Sequence, residues 1–380
     1  MVFCDIASFY APRGGGVTTY HERKLDYFRR HPAHRYVMIA PAASDSVTEV
    51  PGGTIWRLRG FRFDANYRHL WDPRALRRVL RRVRPDVVEY GSPYVDYWAG
   101  RIAARGLGAV QSAFYHVDFP DTYARPFLRR RLAPAERPVM GLLDRYVRRV
   151  FGRLDATLAA SDHVRDKLRD IGLRNVVRIP LGVDTATFRP SRRSEAFRRG
   201  LSVGPRGRLL LFAGRYRADK GLDVLLAALP RLLADPGVSV AFAGTGPYGD
   251  RVRDWAGREP RVHDLGYVAD RDRLAEVCAS ADGFLSPGGR ETFGFGACEA
   301  AASGVPVVSA DSGAGAEMVR RWRCGLLFET GRPADLARAA LALRREDFGP
   351  GLESAREDLV ARYTWDGTFD AYVALHERLR

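Results

Sequence analysis

The sequence predicts an α/β protein built from two Rossmann-like domains facing a central cleft. Three observations carry that reading. Short apolar runs alternate with longer helical patterns along nearly all of the 380 residues, the order expected of parallel strands joined by crossover helices. The runs are continuously apolar rather than alternating, as burial on both sheet faces requires. The alternation breaks once, between Pro180 and Pro205, where Pro190-Ser191-Arg192-Arg193-Ser194-Glu195 is polar and has no strand signal.

In the first half, strands are expected at 2–9, 35–39, 54–58, 87–90, 109–114, 156–159 and 176–179. Amphipathic helices fall between them at 17–29, 74–82, 97–105 and 137–153. In the second half, strands are expected at 208–213, 238–243, 262–265, 283–285, 306–309 and 325–328. Helices separate them at 221–234, 248–258, 271–279, 296–303, 317–321 and 333–344. The domains are therefore placed at 1–182 and 206–360, with a linker at 183–205. Residues 361–380 hold a last helix, from Trp365, that is expected to return to the first domain. In such sheets ligands gather beyond the carboxyl ends of the strands, so the cleft is the expected site.

Composition narrows the class further. Hydrophobic residues make up 46% and charged residues 28%, which excludes a disordered or fibrous chain. The four cysteines, Cys4, Cys278, Cys298 and Cys324, form no CxxC pair, so buried free thiols are expected rather than a disulfide framework or zinc site. No apolar run reaches bilayer-spanning length, and the N-terminus lacks a basic leader, so a cytoplasmic protein is expected. The net charge is +16, and all but three of the 61 basic residues are Arg. Residues 1–190 hold 33 basic and 19 acidic residues, while 191–380 hold 28 and 26, so the first half carries almost all of the excess. That half is expected to face something anionic.

Four segments carry candidate chemistry. In Gly214-Arg215-Tyr216-Arg217-Ala218-Asp219-Lys220-Gly221, an apolar strand ends at Gly214 and a helix follows. Arg215 and Lys220 project from a loop at the sheet's carboxyl edge and suit a diphosphate, unless they are solvated loop cations. Ser286 to Glu299 runs from a strand through a glycine-bearing turn into a helix. Its start, around Phe293, Gly294, Phe295 and Gly296, offers free N–H groups to an anion. Glu291 in the turn and Glu299 in the helix suit the vicinal hydroxyls of a sugar or ribose. The alanines around Glu299 argue against a surface acid. Gly14-Gly15-Gly16 either lets backbone approach a ligand or forms a plain turn. It is not GxGxxG, which counts against a dinucleotide oxidoreductase. His116 sits at a strand end, as a site residue or a structural one. Asp270-Arg271-Asp272 lies in a charged helix start, and no metal site is expected there.

In order, Gly14–Gly16, His116, Ser161, Pro180-Leu181-Gly182-Val183-Asp184 with Phe188, Gly214-Arg215 to Lys220-Gly221, Gly244-Thr245-Gly246-Pro247, Glu291 to Glu299 at Glu-x7-Glu spacing, and Gly304-Val305-Pro306-Val307-Val308 with Glu317 make one series. The series resembles the GT-B family of retaining glycosyltransferases, family 4 (group 1 type). The resemblance covers nearly the whole chain. It departs at Leu181, where the family commonly has Asn.

The resemblance implies a hexosyltransferase acting on a nucleotide sugar, GDP-mannose or UDP-glucose. Arg215 and Lys220 would hold the donor diphosphate, Glu299 the ribose and Glu291 the donor-sugar hydroxyls. Amides at Phe293, Gly294 and Phe295 would meet donor oxygens. Gly15 and Gly16 would close over the diphosphate, and His116 would contact the sugar near its reactive carbon. Tyr267, Val268 and Arg273 would line the base pocket. It implies front-face chemistry with no protein nucleophile, no metal and no cofactor beyond the nucleotide sugar.

The first domain would receive the acceptor, and it carries the charge. Arg77, Arg78, Arg81 and Arg82 flank an apolar stripe; Arg129, Arg130 and Arg131 belong to a second basic, apolar-interleaved cluster. Such segments bind anionic bilayers at about 1 kcal/mol per cation. A membrane lipid or lipid-linked glycan is the expected acceptor, with the protein peripheral at the inner membrane face. The alternatives are a GT-B nucleotide-sugar epimerase, a soluble-sugar synthase, and a basic nucleic-acid-binding protein. No nucleic-acid module is visible, so nucleic acid is not expected as a partner.

Overall fold

The computed structural model describes residues 1–10, 15–62 and 67–380; Gly14 of the glycine run and the Arg130 side chain lie outside the described residues. The chain divides into two compact units, Met1–Leu181 with Trp365–Arg380, and Gly182–Thr364.

The first unit runs β1 (Val2–Ile6), α1 (Gly16–Arg30), β2 (Arg35–Ala42), β3 (Ser46–Val50), β4 (Gly53–Arg59), β5 (Phe61–Arg62), β6 (Arg68–His69), α2 (Pro73–Val83), β7 (Val87–Tyr90), α3 (Val95–Ala103), β8 (Val110–Phe114), α4 (Arg125–Arg131), α5 (Glu136–Phe151), β9 (Ala156–Ala159), α6 (Asp162–Asp170) and β10 (Val176–Arg178). Its main sheet has the order β10-β9-β8-β7-β1-β2-β4-β3. Every pairing in that sheet is parallel except β3 with β4.

The second unit runs α7 (Glu195–Gly200), β11 (Arg208–Ala213), α8 (Leu222–Leu232), β12 (Val238–Ala243), α9 (Gly249–Arg258), β13 (Val262–Asp264), α10 (Arg271–Ala279), β14 (Gly283–Ser286), α11 (Phe295–Ala302), β15 (Val307–Ala310), α12 (Gly313–Trp322), β16 (Gly325–Phe328), α13 (Pro333–Ala342) and α14 (Gly349–Arg362). Its sheet is wholly parallel, ordered β13-β12-β11-β14-β15-β16. Counted from β11, that is the 3-2-1-4-5-6 order of a doubly wound dinucleotide-type fold. The last helix, α15 (Trp365–Leu379), packs in the first unit. The α/β class with two Rossmann-like domains is thus what the chain adopts.

Several details differ from the sequence reading. The β3–β4 hairpin and the α4 turn are additional elements. Helix α12 starts at Gly313 rather than near residue 317; Gly313, with φ of +77°, makes the turn into it, and a Cβ there would stand 3.0 Å from the Gly289 carbonyl oxygen. Segment 183–205 packs within the second unit instead of lying loose. Arg198 explains this: only 3% exposed, it donates to Asp282 at 2.7 Å and to the carbonyl oxygens of Ser280 at 2.9 Å and Gly207 at 2.7 Å. All four cysteines are free and buried.

The core of the first unit contains a charge cluster. Lys24, fully buried, donates to both carboxylate oxygens of Asp5 at 2.9 Å and to Glu89 at 3.1 Å. Tyr36 donates to Asp5 at 2.8 Å, and Tyr20 donates to Glu89 at 3.1 Å. The Lys24 ammonium also lies 3.9 Å from the Tyr372 ring centroid, which ties α1 to α15. Burial works against the Asp5 charge, yet Lys24 and His21 hold its carboxyl down at about 2.

Removing the lysine leaves two buried carboxylates without their cation. Lys24→Ala should therefore destabilise the first unit by about 3–5 kcal/mol, read as a lower urea midpoint. A wild-type midpoint would show that the cluster is not integral to the core.

Candidate active site

The second sheet places two loops side by side. Strand β11 has β12 on one side and β14 on the other, so the connections after β11 and β14 flank the topological switch point. The first loop passes through Gly214 and Arg215 and closes with a single 3₁₀ turn, Ala218–Lys220. Gly221 follows with φ of +69°, and a Cβ there would stand 2.3 Å from the Pro287 carbonyl oxygen. A Cβ on Gly288 would approach the Lys220 Cα at 3.1 Å. The two loops therefore touch backbone to backbone, and glycine is what permits it.

Across this contact Lys220 Nζ meets Glu291 Oε1 at 2.7 Å. Both side chains keep partial exposure, 27% and 20%. Arg217 pairs with Asp219 at 2.7 Å, whereas Arg215 comes no nearer to that carboxylate than 4.0 Å. Arg217 thus absorbs the local acid and leaves the Arg215 charge facing solvent at 39% exposure. The Glu291 backbone is fixed by the start of α12, since Ala314 N–H donates to its carbonyl at 2.9 Å.

Helix α11 begins just beyond. Its N-cap, Gly294, has φ of +80°, and among the described residues no side chain caps it. The first N–H groups of a helix have no intrahelical acceptor, and the helix dipole adds positive potential there. Phe293 is buried and packs edge-on to Phe295 at 4.8 Å. About one turn along, Glu299 is buried and pairs with Arg271 at 2.9 Å. Burial pushes its carboxyl up, against the pull of Arg271. Arg271 in turn lies over the Phe188 ring at 4.7 Å.

Tyr267 is 56% exposed on the turn after β13. Asp264 holds that turn by accepting from Gly266 N–H at 3.0 Å and Tyr216 O–H at 2.9 Å. Val268 is half-buried on the same turn. Arg273 does not join Glu299. It pairs with Glu276 and stacks on Phe197 at 4.8 Å. On helix α10 it is Arg271, two residues earlier, that reaches the carboxylate, a partnership with no local sequence signal. The Ala314 contact was also missed, although Gly313-Ala314-Gly315 is a turn signal.

In the first unit, β1 lies between β2 and β7, and its loop enters α1 at the Gly15 N-cap. Gly15 is exposed, with no atom of the described residues within 4 Å of where a Cβ would stand, and Gly16 opens the helix. The first turn of α1 contains no acidic residue. His116 follows β8, stacked on Phe114 at 4.6 Å and edge-on to Tyr20 at 5.0 Å. Burial, then His21 and Lys24, bring its imidazole down to about 3.

The two basic segments differ. On α2, Leu76, Val79, Leu80 and Val83 are buried, so the apolar stripe is core. Arg77 is no free surface cation: it donates to the carbonyl oxygens of Ala103 at 3.2 Å and Arg105 at 3.0 Å, closing the end of α3. Arg82 lies over Trp56 at 5.5 Å, and Arg78 and Arg81 are exposed. On α4, Arg129 pairs with Glu136 at 3.0 Å and Arg131 is exposed. Beside them Phe127, Leu132 and Leu142 are 60%, 53% and 62% exposed.

Two parallel Rossmann-like sheets, with a cation-and-carboxylate pair at the switch point of the second, define a GT-B type of protein. The family described as Glycosyl transferases group 1 matches residues 207–346, and Glycosyltransferase Family 4 matches residues 14–187. The chain is 30% identical over 335 residues to a GDP-mannose-dependent alpha-(1-6)-phosphatidylinositol dimannoside mannosyltransferase of Mycobacterium tuberculosis, covering 82% of this chain and 83% of the relative. It is 31% identical over 395 residues to a GDP-mannose-dependent alpha-mannosyltransferase of Mycolicibacterium smegmatis, covering 98% and 96%. Among solved structures it resembles the sucrose-phosphate synthase of Thermosynechococcus elongatus, with a TM-score of 0.81 at 17% identity over 100% of this chain and 99% of that one. It also resembles WaaG, a glycosyltransferase involved in lipopolysaccharide biosynthesis, with a TM-score of 0.68 at 15% identity over 98% of each chain. The chain belongs to glycosyltransferase family 4, and it is a glycosyltransferase.

The His116 environment has a measurable consequence. A histidine near 6.5 when unfolded and about 3 when folded takes up its proton only in the unfolded state across that window. Its contribution to stability is present above about pH 6.5 and is lost as pH falls toward 3. His116→Gln should lose less stability than the parent between pH 6.5 and 4.5, read from urea midpoints. Parallel losses would show that His116 ionises normally in the folded protein.

Proposed function

We propose that the chain transfers mannose from GDP-mannose to a lipid-linked acceptor, with retention of anomeric configuration and without a metal ion. The observation that carries the reading is the Lys220–Glu291 pair at 2.7 Å on touching loops, beside the half-exposed Arg215 and the start of α11, which no described side chain caps. Cleaving a sugar–phosphate bond places negative charge on the departing diphosphate. Lys220, Arg215 and the helix start are fixed positive groups where that charge develops, which is the kind of stabilisation that lowers the barrier most. A metal is then not required to neutralise it.

Glu291 is held by a lysine and by the α12 start, an arrangement for gripping sugar hydroxyls rather than for attack. Glu299, buried in α11, takes the ribose, with Arg271 holding it in place until the nucleotide arrives. Tyr267 and Val268 offer the face for the base. The leaving phosphate itself receives the acceptor's proton, so no protein nucleophile is needed. His116, uncharged, offers a hydrogen-bonding ring to the sugar.

The choice of GDP-mannose rests on the relatives, which are GDP-mannose-dependent mannosyltransferases. The lipid acceptor has two supports: the phosphatidylinositol dimannoside substrate of one relative, and the exposed arginines and apolar side chains of the first unit. Among the described residues no helix is long and apolar enough to cross a membrane. We therefore place the protein as peripheral on an anionic membrane face, with Arg78, Arg81 and Arg131 among the contacting cations and Phe127, Leu132 and Leu142 entering the interface.

Three measurements check this reading. Lys220→Ala and Arg215→Ala should each lower kcat/KM at least a hundredfold, about 2.7 kcal/mol, at a wild-type thermal midpoint; near-normal turnover would overturn the diphosphate assignment. GDP-mannose at a hundred times its Kd should stabilise the native state by about 2.7 kcal/mol, while UDP-glucose at equal concentration should do less. In low salt the protein should co-sediment with anionic vesicles and not with neutral ones, and failure to do so would remove the membrane claim.

A further inference from the structure

The first unit contains a cavity of about 950 Å³ that belongs to neither candidate donor loop. It opens at the carboxyl ends of β2 and β4 and is bounded by the first turns of α2. Ligand sites in doubly wound sheets favour that edge.

Its lining combines Arg59, Arg68 and Arg78 with Phe61 and Trp71. The aromatics are exposed, Phe61 at 43% and Trp71 at 60%, which is unusual for side chains of that size. Two acids share the lining, but each is bound to a backbone amide. Asp45 accepts from Arg59 N–H at 2.6 Å, and Asp72 caps α2 by accepting from Arg74 N–H at 2.8 Å. Among the described residues the structure pairs none of the three guanidinium groups with a carboxylate. Arg68 donates to the Gly60 carbonyl oxygen at 2.9 Å, which anchors it at the rim. Asp72 sits on the N-terminus of α2 and offsets the helix dipole there, so the positive potential comes from the three arginines, which exceed the two acids of the lining by one charge.

We infer that this cavity is a subsite for a phosphate attached to a polyol ring. Arginine forks match phosphate oxygens, and exposed Trp and Phe faces match the C–H face of a polyol ring. The inference rests on reading the first unit as the acceptor side and adds where, and by which chemistry, the acceptor is recognised. The phosphate could belong to a lipid headgroup or to a soluble polyol phosphate. The site is the same for both, and α2 places the exposed Arg81 directly after Arg78 along the helix, which suits a lipid whose tails stay in a bilayer.

The test is direct binding by calorimetry, using the whole chain and no donor. Inositol 1-phosphate should bind saturably, and unphosphorylated inositol at least tenfold more weakly. Arg59→Gln with Arg78→Gln should weaken the phosphorylated probe at least tenfold at an unchanged thermal midpoint. Monomeric dioctanoyl phosphatidylinositol separates the sources: tighter binding than inositol 1-phosphate identifies a lipid headgroup, and equal binding identifies the soluble phosphate. The inference is overturned if neither phosphorylated probe binds, if inositol binds as well as its phosphate, or if the double variant binds like the parent. Donor turnover, measured separately, tests the mannosyl-transfer reading, so the two can fail independently.

Discussion

The contact between the loop after β11 and the loop after β14 is the constraint on which the proposed chemistry depends. Gly221 adopts a backbone conformation that side-chain-bearing residues avoid, and the Pro287 carbonyl occupies the space a Cβ would need. That close approach brings Lys220 and Glu291 together although they lie 71 positions apart. The strand order sets it up: β11 and β14 are neighbours whose helices leave on opposite sides of the sheet. A cation and a carboxylate placed there form a site without any further element, and α11 then points its uncapped start into the same region.

Electrostatics divide along the chain in the same sense. Residues 191–380 are nearly neutral and hold the touching loops. The first half holds the excess charge, but the structure sorts that charge by use. Arg77 is spent on closing α3, Arg129 on Glu136, and Arg82 on the face of Trp56. What remains exposed without a partner among the described residues is a smaller set that includes Arg78 and Arg81 on α2 and Arg131 on α4. A basic composition thus becomes a few defined surfaces.

Much of this was legible in the residues. The apolar runs located both sheets, and the glycines of 214–221 and 288–296 marked the loops, because only glycine permits the backbone approaches seen there. Glu299 was separable from surface acids by its alanine neighbours, and it is buried. What was not legible depends on partners distant in sequence. Arg271 rather than Arg273 reaches Glu299 because helix phase, not proximity in sequence, decides which side chain faces α11. Arg198 looked like part of a polar linker, yet Asp282 and two carbonyl groups draw it inside. Lys24 lies in an amphipathic helix among charged neighbours, and nothing local shows that Asp5 and Glu89 await it across the sheet. The β3–β4 hairpin was missed because Ser46–Val50 is an exposed edge strand with little apolar content.

The central claim is that Lys220 grips the terminal phosphate of the leaving nucleotide. Its most direct test compares the affinity of a nucleoside diphosphate with that of the monophosphate of the same base, in the parent and in Lys220→Ala. The account predicts at least a tenfold preference for the diphosphate in the parent and its collapse in the variant. A preference that survives the loss of Lys220 would contradict it.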